Sequence, residues 1–254
     1  MSLVIKVDII SDITILWFFI IFLGALVQGV TGFGFALTVT PLMVSFVDTN
    51  KLIVMVLALS FFLSGLMSCK LKRHADYGLI KYLIVSSIVG AFLGAYLLNI
   101  WGTQDLPKLI IAVFVIVFSV LIHFDISKPI KNEGLGGIVA GFFSGTFSTL
   151  TSFGGPPVVL LLSNQKKLPL SFKGTISLYF LLKSLFSILI LVVVTNVSPG
   201  IVIISLIFIP VIFLGWKAGN KIASYVSERH FRLGVLIIII AAALRIIFDF
   251  FAVS

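Results

Sequence analysis

Two glycines and two prolines stand in a row inside an apolar segment, at Thr151-Ser152-Phe153-Gly154-Gly155-Pro156-Pro157. In a helix interior glycine costs about 1 kcal/mol and proline about 3 kcal/mol, and proline also removes a backbone donor. The surroundings make that cost severe. The 254-residue chain is 60% hydrophobic and only 11% charged, with a mean hydropathy of +1.26. Soluble domains carry roughly a quarter charged residues, so the chain reads as a polytopic membrane protein whose solvent is the lipid bilayer. In hydrocarbon, backbone groups freed by a break must find partners in protein or in a water-lined cavity. Broken helices at membrane depth are where transporters hold solutes.

A second break of the same kind occurs earlier, at Thr31-Gly32-Phe33-Gly34, and Thr151 follows Thr31 by 120 residues. Ten apolar segments surround the pair: 13–30, 35–47, 52–69, 79–100 and 106–124, then 134–150, 158–163, 172–197, 200–216 and 233–251. Asp8 and Asp12 precede the first, and a second apolar run follows it at once, which argues for a retained helix and not a cleaved leader. At the 120-residue offset Thr31, Phe33 and Gly34 align with Thr151, Phe153 and Gly154, and Ser64 with Ser184. The order of segments repeats as well. The expected fold is therefore an all-α polytopic membrane protein made of two five-segment halves, 1–125 and 126–254. Each half carries a broken-helix hairpin around its Gly-rich motif.

The cations fix an expected topology. Lys70, Lys72 and Arg73, Lys128 and Lys131, Lys166, Lys167 and Lys173, and Lys217, Lys221, Arg229 and Arg232 fall in alternate loops. By the positive-inside rule those loops are cytoplasmic, which accounts for the +9 formal charge without nucleic acid as a partner. Five segments per half then insert the second half upside down relative to the first. Such an inverted repeat would bring the two hairpins together tip to tip near the midplane, around one shared site.

Candidate site residues gather at the breaks: Gln28, Thr31, Gly32, Phe33 and Gly34 at the first, and Ser148, Thr151, Ser152, Phe153, Gly154 and Gly155 at the second. A helix restarting after a break presents amides with partial positive charge, which favour an anion. Gly24, Gly29, Gly141 and Gly145 read equally well as helix–helix contacts. Lys183 is the most informative charge. It lies midway along its span, where a lysine costs about 2.5–3.5 kcal/mol on insertion scales, and it reads as a counter-charge for a permeating anion. Its offset partner is Leu63. Arg245, one turn before Asp249, reads as an interfacial ion pair.

Other chemistry is excluded. No acidic residue falls near the middle of a span, and there is no phosphate-binding glycine loop, metal-ligand cluster or nucleophile with its base. A single cysteine, Cys69, cannot form an intrachain disulfide. The chain is thus neither an ATP-driven pump nor a membrane enzyme, and no cofactor is implied.

The stretch Gly24-Ala-Leu-Val-Gln-Gly29-Val-Thr-Gly32-Phe-Gly34 with Pro41 resembles the first signature of the sulfite exporter TauE/SafE family. Gly141-Phe-Phe-Ser-Gly145 followed by Phe153-Gly154-Gly155-Pro156-Pro157 resembles the second. The run Thr146-Phe-Ser-Thr-Leu-Thr between them is longer and richer in hydroxyls than the family pattern. The resemblance implies secondary transport of small sulfur-containing anions, such as sulfite or organosulfonates, across a prokaryotic cytoplasmic membrane. An anion channel on the same fold and a non-transporting membrane subunit are the alternatives. A homo-oligomer stays open, because lipid-facing and dimer-facing apolar surfaces read alike.

Overall fold

The chain breaks after Thr31 and again after Thr151, and helices make up most of the described residues between them. A computed structural model describes residues 15–101, 106–123, 132–165, 168–195, 198, 200–226 and 228–253. Asp8, Asp12, Lys128, Lys131, Lys166 and Lys167 lie outside the described residues. Among the described residues eleven α-helices follow in order: α1 (Ile15–Thr31), α2 (Phe35–Met43), α3 (Thr49–Leu71), α4 (Tyr77–Trp101), α5 (Leu106–His123), α6 (Glu133–Thr151), α7 (Gly155–Asn164), α8 (Pro169–Val194), α9 (Gly200–Ser205), α10 (Ile209–Ile222) and α11 (Glu228–Val253). Single 3-10 turns, Lys72–His74 and Leu206–Phe208, end α3 and join α9 to α10. No strand occurs among the described residues.

Among the described residues five helical stretches are long and apolar enough to cross a membrane: Thr49–His74, Tyr77–Trp101, Pro169–Val194, Gly200–Ile222 and Gly234–Ala252. The chain is a multi-pass membrane protein. Polar caps mark several ends. Asp48 accepts from the Lys51 N–H at 3.1 Å, Asp76 from Leu79 at 3.0 Å, and Asn132 from Leu135 at 3.1 Å, each satisfying an orphan donor at a helix start. The ninth apolar segment is not one helix. Pro210 cannot donate to the preceding turn, so the helix closes in a 3-10 turn and restarts with proline in its first turn.

The core is an antiparallel pair, α3 and α8. The space beside Gly65 is filled by Leu181, and that beside Gly174 by the Leu71 carbonyl and the His74–Ala75 backbone. Buried residues make up 72% of the most apolar window of α3, against 22% for α11, so α3 is the enclosed helix and α11 an outer one. Two parallel pairs flank the core, and both are set by small residues. Gly137, Gly141 and Gly145 of α6 rest on Leu79, Leu83 and Ser87 of α4, while Gly90 and Gly94 of α4 receive Phe142 and Thr146. Gly215 and Gly219 of α10 rest on the Phe22 and Leu26 carbonyls of α1, and Gly29 of α1 on the Trp216 carbonyl. Without a hydrophobic force between helices in lipid, such backbone-to-backbone packing supplies the attraction. Gly24 packs instead against Phe35 and Val39 within its own hairpin. All four glycines with two readings are thus packing residues. Arg245 and Asp249 form the expected exposed pair at 3.7 Å.

The hairpins are unequal. At 1.5 Å per residue α1 and α6 are about 26 and 29 Å long, nearly the hydrocarbon thickness, whereas α2 and α7 reach only about 14 and 15 Å. Only the returning arms are short.

A Cβ at Gly145 would collide with the Ser87 carbonyl, whereas one at Gly234 meets nothing within 4 Å. Gly145→Val should destabilise the protein by about 1–3 kcal/mol or more, and Gly234→Ala should be neutral. Thermal unfolding of the two purified variants checks the contrast.

Candidate functional site

At the first break three successive carbonyls of α1 are each met by a protein donor. Gln28 O accepts from the Gly32 N–H at 2.8 Å. Gly29 O accepts from the Asn220 amide at 3.1 Å, with that amide oriented so that its oxygen accepts from the Trp216 indole at 2.7 Å. Val30 O accepts from Lys173 Nζ at 2.6 Å. The chain then turns through Gly32 at φ +88° and Gly34 at φ +102°, a left-handed backbone that costs other residues about 1–2 kcal/mol. Thr31 holds the turn. Its hydroxyl donates to Val27 O at 3.0 Å and accepts from the Phe33 N–H at 3.3 Å.

The second break repeats the threonine contacts, but Gly154, opposite Gly34 in the alignment, is right-handed at φ −72°. Thr151 donates to Phe147 O at 2.8 Å and accepts from the Phe153 N–H at 3.3 Å. Ser152 stands where the first break has Gly32, and it adopts the left-handed conformation with φ 68°. A strained non-glycine residue of this kind is retained where its side chain is used. Here the Ser152 and Thr40 hydroxyls share a hydrogen bond of 2.6 Å, joining the second break to α2.

One expectation needs correction. Pro156 and Pro157 do not lie in the break; they open α7. Proline is suited to the first helical positions because the donors it lacks have no intrahelical partner there. The missing N–H groups shrink the expected amide cradle at this break. Gly154 N is bound to Ser152 O and Phe153 N to Thr151, so positive charge here has to come from a side chain.

Lys183 supplies it. Its Nζ occupies the space a Gly154 side chain would fill, next to Ser148 Cβ and the Ser144 carbonyl. The residue is 5% exposed, and the Phe180 ring lies 5.0 Å from Nζ. Among the described residues no hydrogen-bond acceptor or carboxylate pairs with Nζ. The adjacent Ser184 hydroxyl is buried and has no partner. Around them run other hydroxyls: Ser187 donates to Ser148 at 3.4 Å, and Tyr179 donates to Ser144 at 2.7 Å, which in turn donates to Gly154 O. Thr149, by contrast, turns to the Ala91 carbonyl of α4 at 3.0 Å.

The two breaks do not meet tip to tip. Gly32 lies against Lys173 and Gly154 against Lys183, and those lysines are ten residues, about 15 Å, apart along α8. The Thr40–Ser152 hydrogen bond sets the second break beside the arm of the first hairpin, so the hairpins overlap side by side. Thr31, Gly32, Phe33 and Gly34 therefore stand apart from the Lys183 cluster. Gln28 reaches back toward it, donating to Ser64 Oγ at 3.5 Å and Met67 Sδ at 3.7 Å on α3. The structure brings Ser148, Gly154 and Lys183 together, with Thr151, Ser152, Phe153 and Gly155 building the turn beside them. Lys173, Tyr179, Ser184 and Ser187 are additions that the sequence reading missed; midspan hydroxyls flanking a midspan lysine were the available signal.

Replacing Thr31 or Thr151 with valine keeps the side-chain shape and leaves a buried N–H unpaired, so each should cost about 1–3 kcal/mol. Denaturant unfolding of both variants should give equal losses.

The sequence profile of the sulfite exporter TauE/SafE family matches residues 17–246. The chain matches no curated protein and no solved structure. The matched span takes in both breaks, α8 with its two lysines, and every helix that packs on them. By that match the chain belongs to the sulfite exporter TauE/SafE family, a family of membrane transporters.

Proposed function

We propose that the protein is a secondary transporter of small sulfur-containing anions, sulfite, an organosulfonate or a related oxyanion, across a prokaryotic cytoplasmic membrane. The observation that carries this reading is Lys183: a lysine enclosed at the second break beside Gly154 and Ser148, with no protein anion opposite it among the described residues. An unpaired charge in a low-dielectric interior is costly, and a bound oxyanion removes that cost. Ser148 and Ser187 supply hydroxyls near it, with Gln28 of α1 hydrogen-bonded to Ser64 of α3.

Alternating access is favoured over an open channel because the polar cluster is enclosed. Gln28, Ser148, Ser152 and Lys183 are each at most 5% exposed, so a solute reaches them only if packed elements separate. The two halves, 1–125 and 126–254, are the natural moving parts in an inverted repeat. Three things support that repeat: the matched Thr31 and Thr151 turns, the exchange of partners in which α1 packs on α10 and α6 on α4, and the antiparallel crossing of α3 and α8. The basic end, with Lys70, Lys72, Arg73 and Lys173, is assigned to the cytoplasm.

Lys183→Met should lower saturable sulfite transport in proteoliposomes by about thirtyfold or more, with unchanged yield and thermal stability. Undiminished transport would remove Lys183 from the site. Flux that does not saturate and shows no counterflow would point to a channel.

A further inference from the structure

We infer that Lys173 is a latch on the first break, and that an arriving anion releases it. The inference rests on the anion site proposed above and adds a second functional cation to it. Lys173 is the fifth residue of α8, near the basic end of the molecule, and is half-buried where Lys183 is enclosed. Its side chain crosses to the other half of the chain. The Nζ donates to the Val30 carbonyl at 2.6 Å, and the Cγ packs 3.0 Å from where a Gly32 side chain would begin. The preceding residue adds a third contact: the Phe172 ring meets Phe33 edge-on, with centroids 6.3 Å apart. One turn of α8 therefore closes over a backbone bend whose two glycines, at φ +88° and +102°, are the residues best able to change conformation.

The chemistry makes this contact exchangeable. A carbonyl is a neutral acceptor, whereas hydrogen bonds between an ammonium and an oxyanion are roughly twice as strong as neutral ones. An oxyanion reaching the basic end can displace Val30 O from Lys173. Val30 then loses a donor in a buried turn, and the α1–α2 hairpin loses its tie to α8. Lys183, about 15 Å further along the same helix, is the next cation on the path. A purely structural role as a cap on the α1 C-terminus is the rival account.

The test is hydrogen exchange over residues 28–38 in the purified full chain in lipid nanodiscs, with and without sodium sulfite. The latch predicts slow exchange in the unmodified protein that rises about tenfold or more when sulfite binds. Lys173→Met should exchange fast without sulfite and not respond to it, while Lys173→Arg restores the slow, sulfite-sensitive behaviour. Slow exchange in ligand-free Lys173→Met overturns the latch. So does a Lys173→Met protein that exchanges faster everywhere and melts earlier, which is the signature of a cap alone. Sulfite that fails to bind, or binds without changing exchange over 28–38, overturns the release step. Sulfite binding that survives Lys183→Met undiminished overturns the reading of the central site, and the ligand-free comparison of Lys173→Met still decides the latch.

Discussion

A helix that stops inside hydrocarbon leaves carbonyls and amides that water cannot satisfy, and the arrangement of this molecule follows from how those groups are met. The first break takes two of its three donors from outside its own hairpin, Asn220 on α10 and Lys173 on α8. Those two helices must therefore lie against α1, and the glycines at 29, 215 and 219 let α10 come close enough. The second break reduces the demand. Pro156 and Pro157 carry no N–H to satisfy, and a chain of hydroxyls from Tyr179 through Ser144 reaches the Gly154 carbonyl. The two solutions share the threonine turn and differ in where positive charge ends up. At the first break an ammonium is spent on a carbonyl. At the second an ammonium is left over.

That difference assigns α8 its part. It passes both breaks, bringing Lys173 to one and Lys183 to the other, with Tyr179 between them and Ser184 and Ser187 just beyond. Gly65 opposite Leu181 and Gly174 opposite Leu71 set the register with α3. Lys183 then stands about level with Leu63, its counterpart at the 120-residue offset. The crossing point of the two core helices thus holds a fully buried leucine on one side and a lysine on the other. The threonine turns match between the two breaks while the charge does not.

Much of this was legible in the sequence because glycine, proline and charge have strong, local consequences in an apolar chain. The breaks, the segment order and Lys183 came from those signals. What was not legible depended on length and on neighbours. The two hairpins read as meeting tip to tip, yet α1 and α6 are about 26 and 29 Å long and the hairpins overlap side by side, with Ser152 against Thr40. Pro156-Pro157 read as part of the break because two prolines interrupt a helix; as the opening turn of α7 they fit one. Lys173 read as an ordinary loop cation, since nothing in its neighbourhood in sequence reveals a carbonyl more than a hundred residues earlier. Thr40 and Ser152 are coupled by the overlap of two hairpins, which no local pattern encodes.

The central claim is that an oxyanion rests against Lys183 at the second break, and the most direct check is to see where one binds. Crystals or lipid-cubic-phase samples soaked with selenite, a heavier analogue of sulfite, would locate the anion by the anomalous signal of selenium. The account predicts a peak within hydrogen-bonding distance of Lys183 Nζ, bounded by Ser148, Ser184 and Gly154. A selenium site elsewhere with nothing at Lys183, for example only at Lys70 and Lys72 on the basic end, would contradict it.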